Sequence, residues 1–398
     1  MENPEEIKRS WQLQGAWATG PKVINKLVPP TFSRIAVPFV QTWREQAEPT
    51  LDWGAQNHAI TIPEGVRCIS AAYLKINLPA AEYKAYPGLY AIDTFRLRSA
   101  GQQVYSCDAA QFYADHCESL LEQKLKGFAE IYLGGAAEST QPEERVVKLP
   151  LFLPNSTYMR RSSMSTGGHG VMGTFTGTNR IELNLTLNQA NFLSKQVGVN
   201  DPGSILGRCS IMYHVVEVPN EQRRKYEDHR GYFNTVIRRF TQLSSGWTHY
   251  PNPGTLVIDS LSQPNGCVTE VMLLAVPHAA SAAERRRHNY IKATHFEVVA
   301  DMITQKLLDS KSKISTELFT NGFNPPANFD SPARLCFANH CSTDSTSIYL
   351  GGYDMSAATT VQFRFKFDEA CDYRLVAVQY ANCKIDSSGI LTSTLEGI

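Results

Sequence analysis

Three potential soft metal ligands lie close together in the C-terminal part of the chain. Cys336, His340 and Cys341 could supply two thiolates and one imidazole. A closed zinc site needs four such ligands, and no matching second pair of cysteines or histidines occurs elsewhere in the sequence. The pattern therefore favours buried thiols in a strand, and we predict no metal ligands.

Basic and glycine-rich segments are the candidate anion sites. Residues 285–287 are three arginines and residues 223–225 read Arg-Arg-Lys, but Glu284 and Glu221 stand close to them. Such mixed segments are typical of solvated or interface faces with salt bridges. The glycines between 167 and 177 lack the Lys-Ser/Thr of a phosphate-binding loop. None of these segments indicates a nucleotide or other cofactor.

Groups capable of catalysis are numerous but dispersed. Neither G-x-S-x-G nor H-E-x-x-H occurs, and the ten histidines are scattered. We therefore assign no catalytic, cofactor-binding or metal-binding residues and predict that the protein is not an enzyme. Asn155 and Asn184 match the N-glycosylation pattern, but the N-terminus lacks the apolar core of a secretory signal, so we interpret both matches as chance.

Charge and cysteine usage restrict the partners and the compartment. In 398 residues, 38 Lys and Arg balance 38 Asp and Glu, so the formal net charge is zero. The charge therefore does not indicate sequence-specific nucleic acid or an anionic membrane as the main partner. The nine cysteines show no paired spacing, which predicts reduced thiols in an intracellular folding compartment. No apolar run approaches the ~18 residues that a transmembrane helix needs.

Short strands dominate the secondary-structure pattern. Alternating or apolar runs between turn residues predict strands at 32–37, 58–62, 69–78, 92–98, 103–105, 145–153, 180–187, 211–218, 232–240, 255–258, 268–276, 296–299, 318–319, 335–338, 347–350, 360–367 and 373–380. Helices are predicted at 108–126, where Asp108 can act as the N-cap, at 221–229 and at 281–289. Residues 155–178 are predicted to form a long exposed excursion. With no short-period repeat, two all-β sandwiches are the predicted architecture.

A charged segment in the middle of the chain divides it into two halves of similar pattern. Residues 219–230 are predicted to form a helical connector, a hinge between two strand-rich units. We expect an N-terminal arm at 1–31, a first domain at 32–218 and a second at 231–398, because a chain of this length usually forms two cores.

The order of these segments resembles that of one viral protein family. The stretch 90–105 followed by a helix and Leu133-Gly134-Gly135, and the passage 148–152 with the strand 181–187, are similar to parts of its first domain. Residues 221–226, Glu-Gln-Arg-Arg-Lys-Tyr, resemble its interdomain connector, and 375–382 with 387–390 resemble its closing strand. The family is the double jelly-roll major capsid proteins of icosahedral double-stranded DNA viruses, the lineage of nucleocytoplasmic large DNA viruses, virophages and tailless membrane-containing phages.

This resemblance implies an all-β fold of two tandem eight-stranded jelly rolls with a few short helices. It also implies a capsid protein of the virion, made and assembled inside the host cell, whose pseudo-hexagonal homotrimers tile an icosahedral shell. The implied partners are further copies of the chain, minor capsid or vertex proteins and an internal membrane. We expect the N-terminal arm to become ordered only on assembly.

A jelly-roll carbohydrate-binding protein or a cupin-like enzyme is the alternative. A carbohydrate binder would expose aromatic platforms, for which Trp43, Trp53, Trp247 and Tyr250 are the candidates. A cupin-like enzyme would need His and carboxylate ligands clustered on neighbouring strands, and the sequence pattern indicates none.

Overall fold

The structure is a computed structural model of the whole chain. It describes residues 40–54, 57–63, 68–84, 87–112, 143–149, 172–173, 181–193, 202–217, 234–244, 246–260, 264, 266–278, 290–320, 331–337, 352–385 and 390–395. The predicted arm at 1–31, the connector at 219–230, the helices at 221–229 and 281–289, and the strands at 32–37 and 347–350 lie outside these residues. Those predictions therefore stay predictions.

The described N-terminal half consists of antiparallel strands in two sheets. The strands are β1 (Val40–Ala47), β2 (His58–Thr61), β3 (Cys68–Leu78), β4 (Ile92–Ser99), β5 (Gln102–Asp108), β6 (Glu143–Lys148), β7 (Met172–Gly173), β8 (Ile181–Leu187) and β9 (Cys209–Glu217). One sheet has the order β1-β9-β3-β6, with β7 paired to β3, and the other has the order β2-β8-β4-β5.

The second half repeats this arrangement. Its strands are β10 (Asn234–Gln242), β11 (Thr248–Tyr250), β12 (Val257–Asp259), β13 (Cys267–Pro277), β14 (His295–Ala300), β15 (Ile303–Leu308), β16 (Ala333–Cys336), β17 (Tyr353–Asp354), β18 (Val361–Lys366), β19 (Cys371–Ile385) and β20 (Leu391–Leu395). One sheet has the order β10-β19-β13-β16, extended by β11, β17 and β20, and the other has the order β12-β18-β14-β15.

Both halves follow the jelly-roll order of strands. Leaving out the short β7, the first half pairs its strands as 1-8-3-6 and 2-7-4-5, and the corresponding strands of the second half pair in the same order. The third strand of each jelly roll has a bulge at the same place, between Ile69 and Ala71 in β3 and between Val268 and Glu270 in β13. The predicted double jelly roll is confirmed, and the shared bulge aligns the two halves residue by residue.

The two jelly rolls share a buried seam. Residues 271–276 of β13 are all fully buried, and because side chains alternate across a strand, they serve two cores. Val271 and Leu273 belong to the core between the sheets of the second jelly roll, whereas Met272 and Leu274 belong to a cluster with the first jelly roll's core. The sheet β10-β19-β13-β16 is therefore covered on both faces, which explains its continuous apolar runs.

One predicted strand is wrong. Residues 318–319 were predicted to be extended, but they lie in helix α1 (Lys311–Thr320). The Ser310 hydroxyl accepts a hydrogen bond from the Lys313 amide at the start of the helix. Ile314 and Leu318, one helical turn apart, are its buried residues. The two-residue apolar pattern was too short to distinguish strand from helix.

The predicted cap at Asp108 is confirmed. The Asp108 carboxylate accepts from the Gln111 amide at 2.9 Å, and the Gln111 side chain accepts from the Asp108 amide at 3.0 Å. This reciprocal pair is a capping box, and residues 109–112 are helical. The remainder of the predicted helix lies outside the described residues.

The hairpin between β14 and β15 turns on two residues with left-handed backbone. Asp301 and Met302 have φ of 48° and 66°, and Ala300 pairs with Ile303 across the turn. A two-residue turn of this kind favours glycine at its second position. Met302 is exposed, so its side chain gains little from packing.

We expect Met302→Gly to raise the free energy of unfolding by about 1 kcal/mol, because glycine adopts this conformation without steric cost. Asp301→Gly is the matched control and is expected to lower it, since the Asp301 carboxylate accepts hydrogen bonds from the Thr359 and Thr360 amides. Urea unfolding measures both, and equal stabilisation by the two substitutions would contradict this account of the turn.

Candidate assembly interface

The residues considered as chemical sites from sequence do not form one in the described part of the chain. Cys336 is buried in β16, and burial raises the pKa of its thiol well above the ordinary value, so it stays protonated. His340, Cys341 and the basic segments at 223–225 and 285–287 lie outside the described residues. Cys336 thus fits the buried thiol that its sequence context favoured.

The candidate aromatic platforms are mostly buried. Tyr250 lies in the second core and donates its hydroxyl to the Thr255 carbonyl at 2.7 Å. Trp53 and Trp247 are partly buried against the core cluster at the seam. Trp43, in contrast, is 57% exposed. The four residues do not form a shared platform. Trp43 instead belongs to an exposed surface on one sheet of the first jelly roll.

That surface is the outward face of the sheet β1-β9-β3-β6. The Trp43 ring lies 4.7 Å from the His214 ring and 5.6 Å from the Tyr73 ring, measured between centroids. Met212 packs beside Tyr73 in a small cluster that also contains Val146. Exposed apolar patches commonly mark interaction sites. This face is therefore a candidate contact surface.

A charged row borders the aromatic group on the same face. The Lys75 ammonium lies 3.2 Å from Glu144 and 3.5 Å from Glu45. The hydrogen bond to Glu144 raises the pKa of Lys75, and a hydrogen bond from Ser210 lowers the pKa of Glu45. Both shifts favour the charged forms of Lys75 and Glu45, and the face combines an apolar half with a paired ionic half.

The same face of the second jelly roll is the buried seam. The shared bulge equates Tyr73 with Met272, and the strand register then equates Trp43 with Phe240. Phe240 and Met272 belong to the cluster that joins the two jelly rolls and are nearly or fully buried. Within the described residues, Trp43 is thus exposed at the position where its equivalent Phe240 is buried.

Strand β5 of the first jelly roll lies against the second jelly roll, where it contacts β10 and β20. The carboxylate of Asp108, the last residue of β5, lies 2.7 Å from the Arg374 guanidinium of β19. The Arg374 guanidinium also lies 5.4 Å from the Trp247 ring centroid. The edge of one jelly roll therefore packs against the broad face of the next.

Strand β15 is the equivalent of β5 in the second jelly roll. The two hairpins have the same two-residue turn and the same bulge, which equates Asp309 with Asp108 and Leu307 with Ser106. Leu307 and Ile303 are exposed apolar residues on this strand. Among the described residues, exposed apolar side chains thus lie on the face of β1 and its neighbours, at Trp43, and on the edge strand β15, at Ile303 and Leu307. The equivalents of this face and this edge contact each other within the chain.

Sequence reasoning did not single out His249, His278 and Asp372, which the fold brings together. These residues are far apart in the chain and follow no ligand spacing. The strands β3 to β6, β13, β14 and β16 were largely predicted, but β15 and the interface were not, since a continuous apolar run indicates that both faces of a strand are covered and not which surface covers them. Among the described residues, no helix combines the length and apolarity needed to cross a membrane.

Comparison with known proteins agrees with the topology. No protein-family model matches the sequence, and no curated protein matches it. Solved structures do match: the PBCV-1 virus capsid with a TM-score of 0.64 and 10% identity, covering 89% of this chain and 96% of that one, and the Faustovirus major capsid protein with 0.62 and 9%, covering 96% and 98%. The mavirus major capsid protein matches with 0.53 and 12%, covering 91% and 92%.

The fold defines a double jelly-roll protein. In structure the chain is similar to the double jelly-roll major capsid proteins of PBCV-1, Faustovirus and mavirus, over about 90% of its length. This similarity, at low sequence identity, concerns the fold, so the biological role must be argued from the surfaces of this chain.

Proposed function

We propose that this protein is a major capsid protein of an icosahedral virus, and that three copies form a pseudo-hexagonal capsomer. One observation carries the proposal: the outward face of β10-β19-β13-β16 is covered by the first jelly roll, while on the equivalent face of β1-β9-β3-β6 the part of the chain that the structure describes leaves Trp43 exposed. Repeating the internal contact between chains places β15 of one copy against β1 of the next.

The geometry of this repetition leads to a closed ring. If each jelly roll places its edge on the face of the next, two jelly rolls per chain and three chains give six similar contacts in a ring. Three of these contacts lie within chains and three between chains. A ring of this kind leaves none of the equivalent faces open, and it has the hexagonal outline that can tile a shell.

Chemical complementarity supports the same contact. Leu307 and Ile303 on β15 offer exposed apolar side chains for the Trp43 patch. Asp309, the equivalent of Asp108, would approach the position of Ser210, which pairs with Lys75 across the sheet. Lys75 would then pair with Asp309 of the neighbouring copy, as Arg374 pairs with Asp108 at the seam within the chain.

The mass of the particle in solution tests this proposal. We expect the full chain to sediment as a trimer of three 44.3 kDa chains, and to appear as pseudo-hexagonal particles in electron microscopy. Obligate interfaces of this kind resist dilution. A monomer that persists at high protein concentration would contradict the trimer.

The other proposed partners are those that a capsid protein contacts in the virion. Neighbouring capsomers, minor capsid or vertex proteins, and a membrane beneath the shell are the proposed contacts of the assembled trimer, with assembly in the host cell. The segment 1–31 is the proposed contact on the inner side. Shells that close completely without this segment would contradict its role.

A further inference from the structure

We infer that His249, His278 and Asp372 form a binding site for one divalent transition-metal ion, of which Zn²⁺ is the best match. The His249 Nδ1 atom lies 3.2 Å from Asp372 Oδ1, and the His278 Nδ1 atom lies 3.1 Å from the same oxygen. The potential ligand atoms all lie within 4.8 Å of one another. This inference does not depend on the capsid assignment.

Three neighbouring strands position these residues. His249 of β11 and Val276 of β13 are both register partners of Asp372 on β19. His278 stands two residues after Val276, so its side chain returns to the same face of the sheet as Asp372. Sheet pairing thus brings an imidazole to either side of a single carboxylate, although the three residues are far apart in the chain.

The distances suit coordination as well as hydrogen bonding. Ligand atoms about 2.0–2.1 Å from a zinc ion are separated by about 2.8–3.4 Å for bond angles between octahedral and tetrahedral. The two Nδ1–Oδ1 distances fall in this interval. An ion beside Oδ1 would complete three protein bonds, and a water molecule would occupy the fourth position.

The three side chains differ in their exposure to solvent in a way that suits an accessible metal site. The Asp372 carboxylate is buried, whereas the two imidazoles are about half exposed, so a metal ion can enter from solvent while the carboxylate stays in place. The two rings lie 3.6 Å apart between centroids with a 32° tilt, and rotation of these exposed rings directs both Nδ1 lone pairs at the ion. Two imidazoles and one carboxylate form a donor set that suits zinc, cobalt and nickel.

An ion bound at this location would stabilise the fold. Asp372 lies two residues before Arg374, on the face that forms the seam between the jelly rolls. An ion held by β11, β19 and the residue after β13 connects three strands at the end of this seam. Because it binds the folded chain only, it raises the apparent stability by mass action.

Metal titration of the full chain tests the site. After removal of metal with a chelator and dialysis, we expect uptake of one Zn²⁺ or Co²⁺ per chain and a higher thermal midpoint with the ion. His249→Gln, His278→Gln and Asp372→Asn are each expected to weaken binding by about tenfold or more. His295→Gln is the matched control, because His295 also lies near a carboxylate, 3.5 Å from Glu297, but among the described residues it is not part of the His249, His278 and Asp372 cluster. This variant is expected to bind the metal normally.

The Co²⁺ spectrum separates this site from other ligands on the chain. Ligand-field bands of a nitrogen and oxygen site that disappear in the three variants would support the inference. Thiolate-to-cobalt charge-transfer absorption, uptake unchanged in all three variants, or no stoichiometric uptake would overturn it. Circular dichroism of each variant without metal confirms that the fold is retained, and two variants at exposed histidines keep the test valid if Asp372→Asn does not fold.

Discussion

Replacing Trp43 with glutamate is expected to convert the proposed trimer into folded monomers. In the proposed ring, Trp43 is the large aromatic side chain of the outward face of β1-β9-β3-β6 and meets β15 of the neighbouring copy. Its equivalent Phe240 is buried at the seam within the chain. Buried aromatic anchors commonly contribute about 2 kcal/mol or more to an interface, and the trimer contains three such contacts. A carboxylate there would also be desolvated without a partner.

Sedimentation velocity of the variant over a range of concentrations measures the effect. Leu206→Glu is the matched control, because Leu206 is also 57% exposed but lies in the turn before β9, outside this outward face. It is expected to remain trimeric. Leu307→Glu, on the opposite side of the proposed contact, is expected to give monomers as Trp43→Glu does.

The paired result distinguishes this interface from any other mode of association. If Trp43→Glu and Leu307→Glu both remain trimeric, the trimer uses different surfaces. If Trp43→Glu dissociates while Leu307→Glu does not, the outward face at Trp43 is an interface, but β15 is not what covers it. Far-ultraviolet circular dichroism of the monomers checks that the jelly rolls are intact, since Trp43 is largely exposed within a single chain.

Replacing Arg334 with methionine is expected to lower the free energy of unfolding by about 3–5 kcal/mol, because it leaves a buried carboxylate without its ionic partner. The Arg334 guanidinium lies 2.8 Å from the Glu270 carboxylate, and both side chains are almost completely buried. Glu270 follows the bulge of β13, and Arg334 lies on the adjacent strand β16. Both groups face away from the second core.

A double substitution separates the lost charge pair from lost packing. Arg334→Met combined with Glu270→Leu is expected to recover most of the stability, since apolar side chains of similar volume often replace a buried ion pair without cost. Urea or thermal unfolding measures both variants. If the double variant is as unstable as Arg334→Met alone, the packing of the arginine, rather than the loss of the ion pair, is responsible.

An exposed pair of the same type serves as the control. Arg44 and Glu217 are 3.2 Å apart, but both are about half exposed. Water screens such a pair, so Arg44→Met is expected to change the free energy of unfolding by at most about 1 kcal/mol. Equal effects of Arg44→Met and Arg334→Met would show that burial is not what gives the inner pair its importance.

The strands were the most predictable part of this structure. In β18 the aromatic residues Phe363 and Phe365 alternate with polar neighbours, and the structure buries the aromatic side while leaving Gln362 and Arg364 partly exposed. This alternation has a local cause, because side chains point to opposite faces of every strand. The cap at Asp108 was predictable for the same reason, since its hydrogen bonds involve residues three positions apart.

The elements that sequence reasoning missed are those with little local signal. Strand β1 (Val40–Ala47) contains mostly polar residues, and β15 (Ile303–Leu308) has a mixed pattern at the edge of its sheet. Both lie at sheet edges, where one neighbour and solvent replace the core on much of the strand. Helix α1 was missed because its apolar residues are few. Strands β1 and β15 are nevertheless required for the jelly-roll order. They also carry the proposed interface.

The sequence by itself determined the all-β class, the alternation of faces and the continuous apolar run of β13, because each depends on residues close in the chain. Tertiary structure alone decided that the first jelly roll covers the outward face of the sheet that contains β13. It also decided that His249, His278 and Asp372 meet. Those outcomes depend on strand order and register across residues more than a hundred positions apart, and no local pattern records which distant strand will become a neighbour.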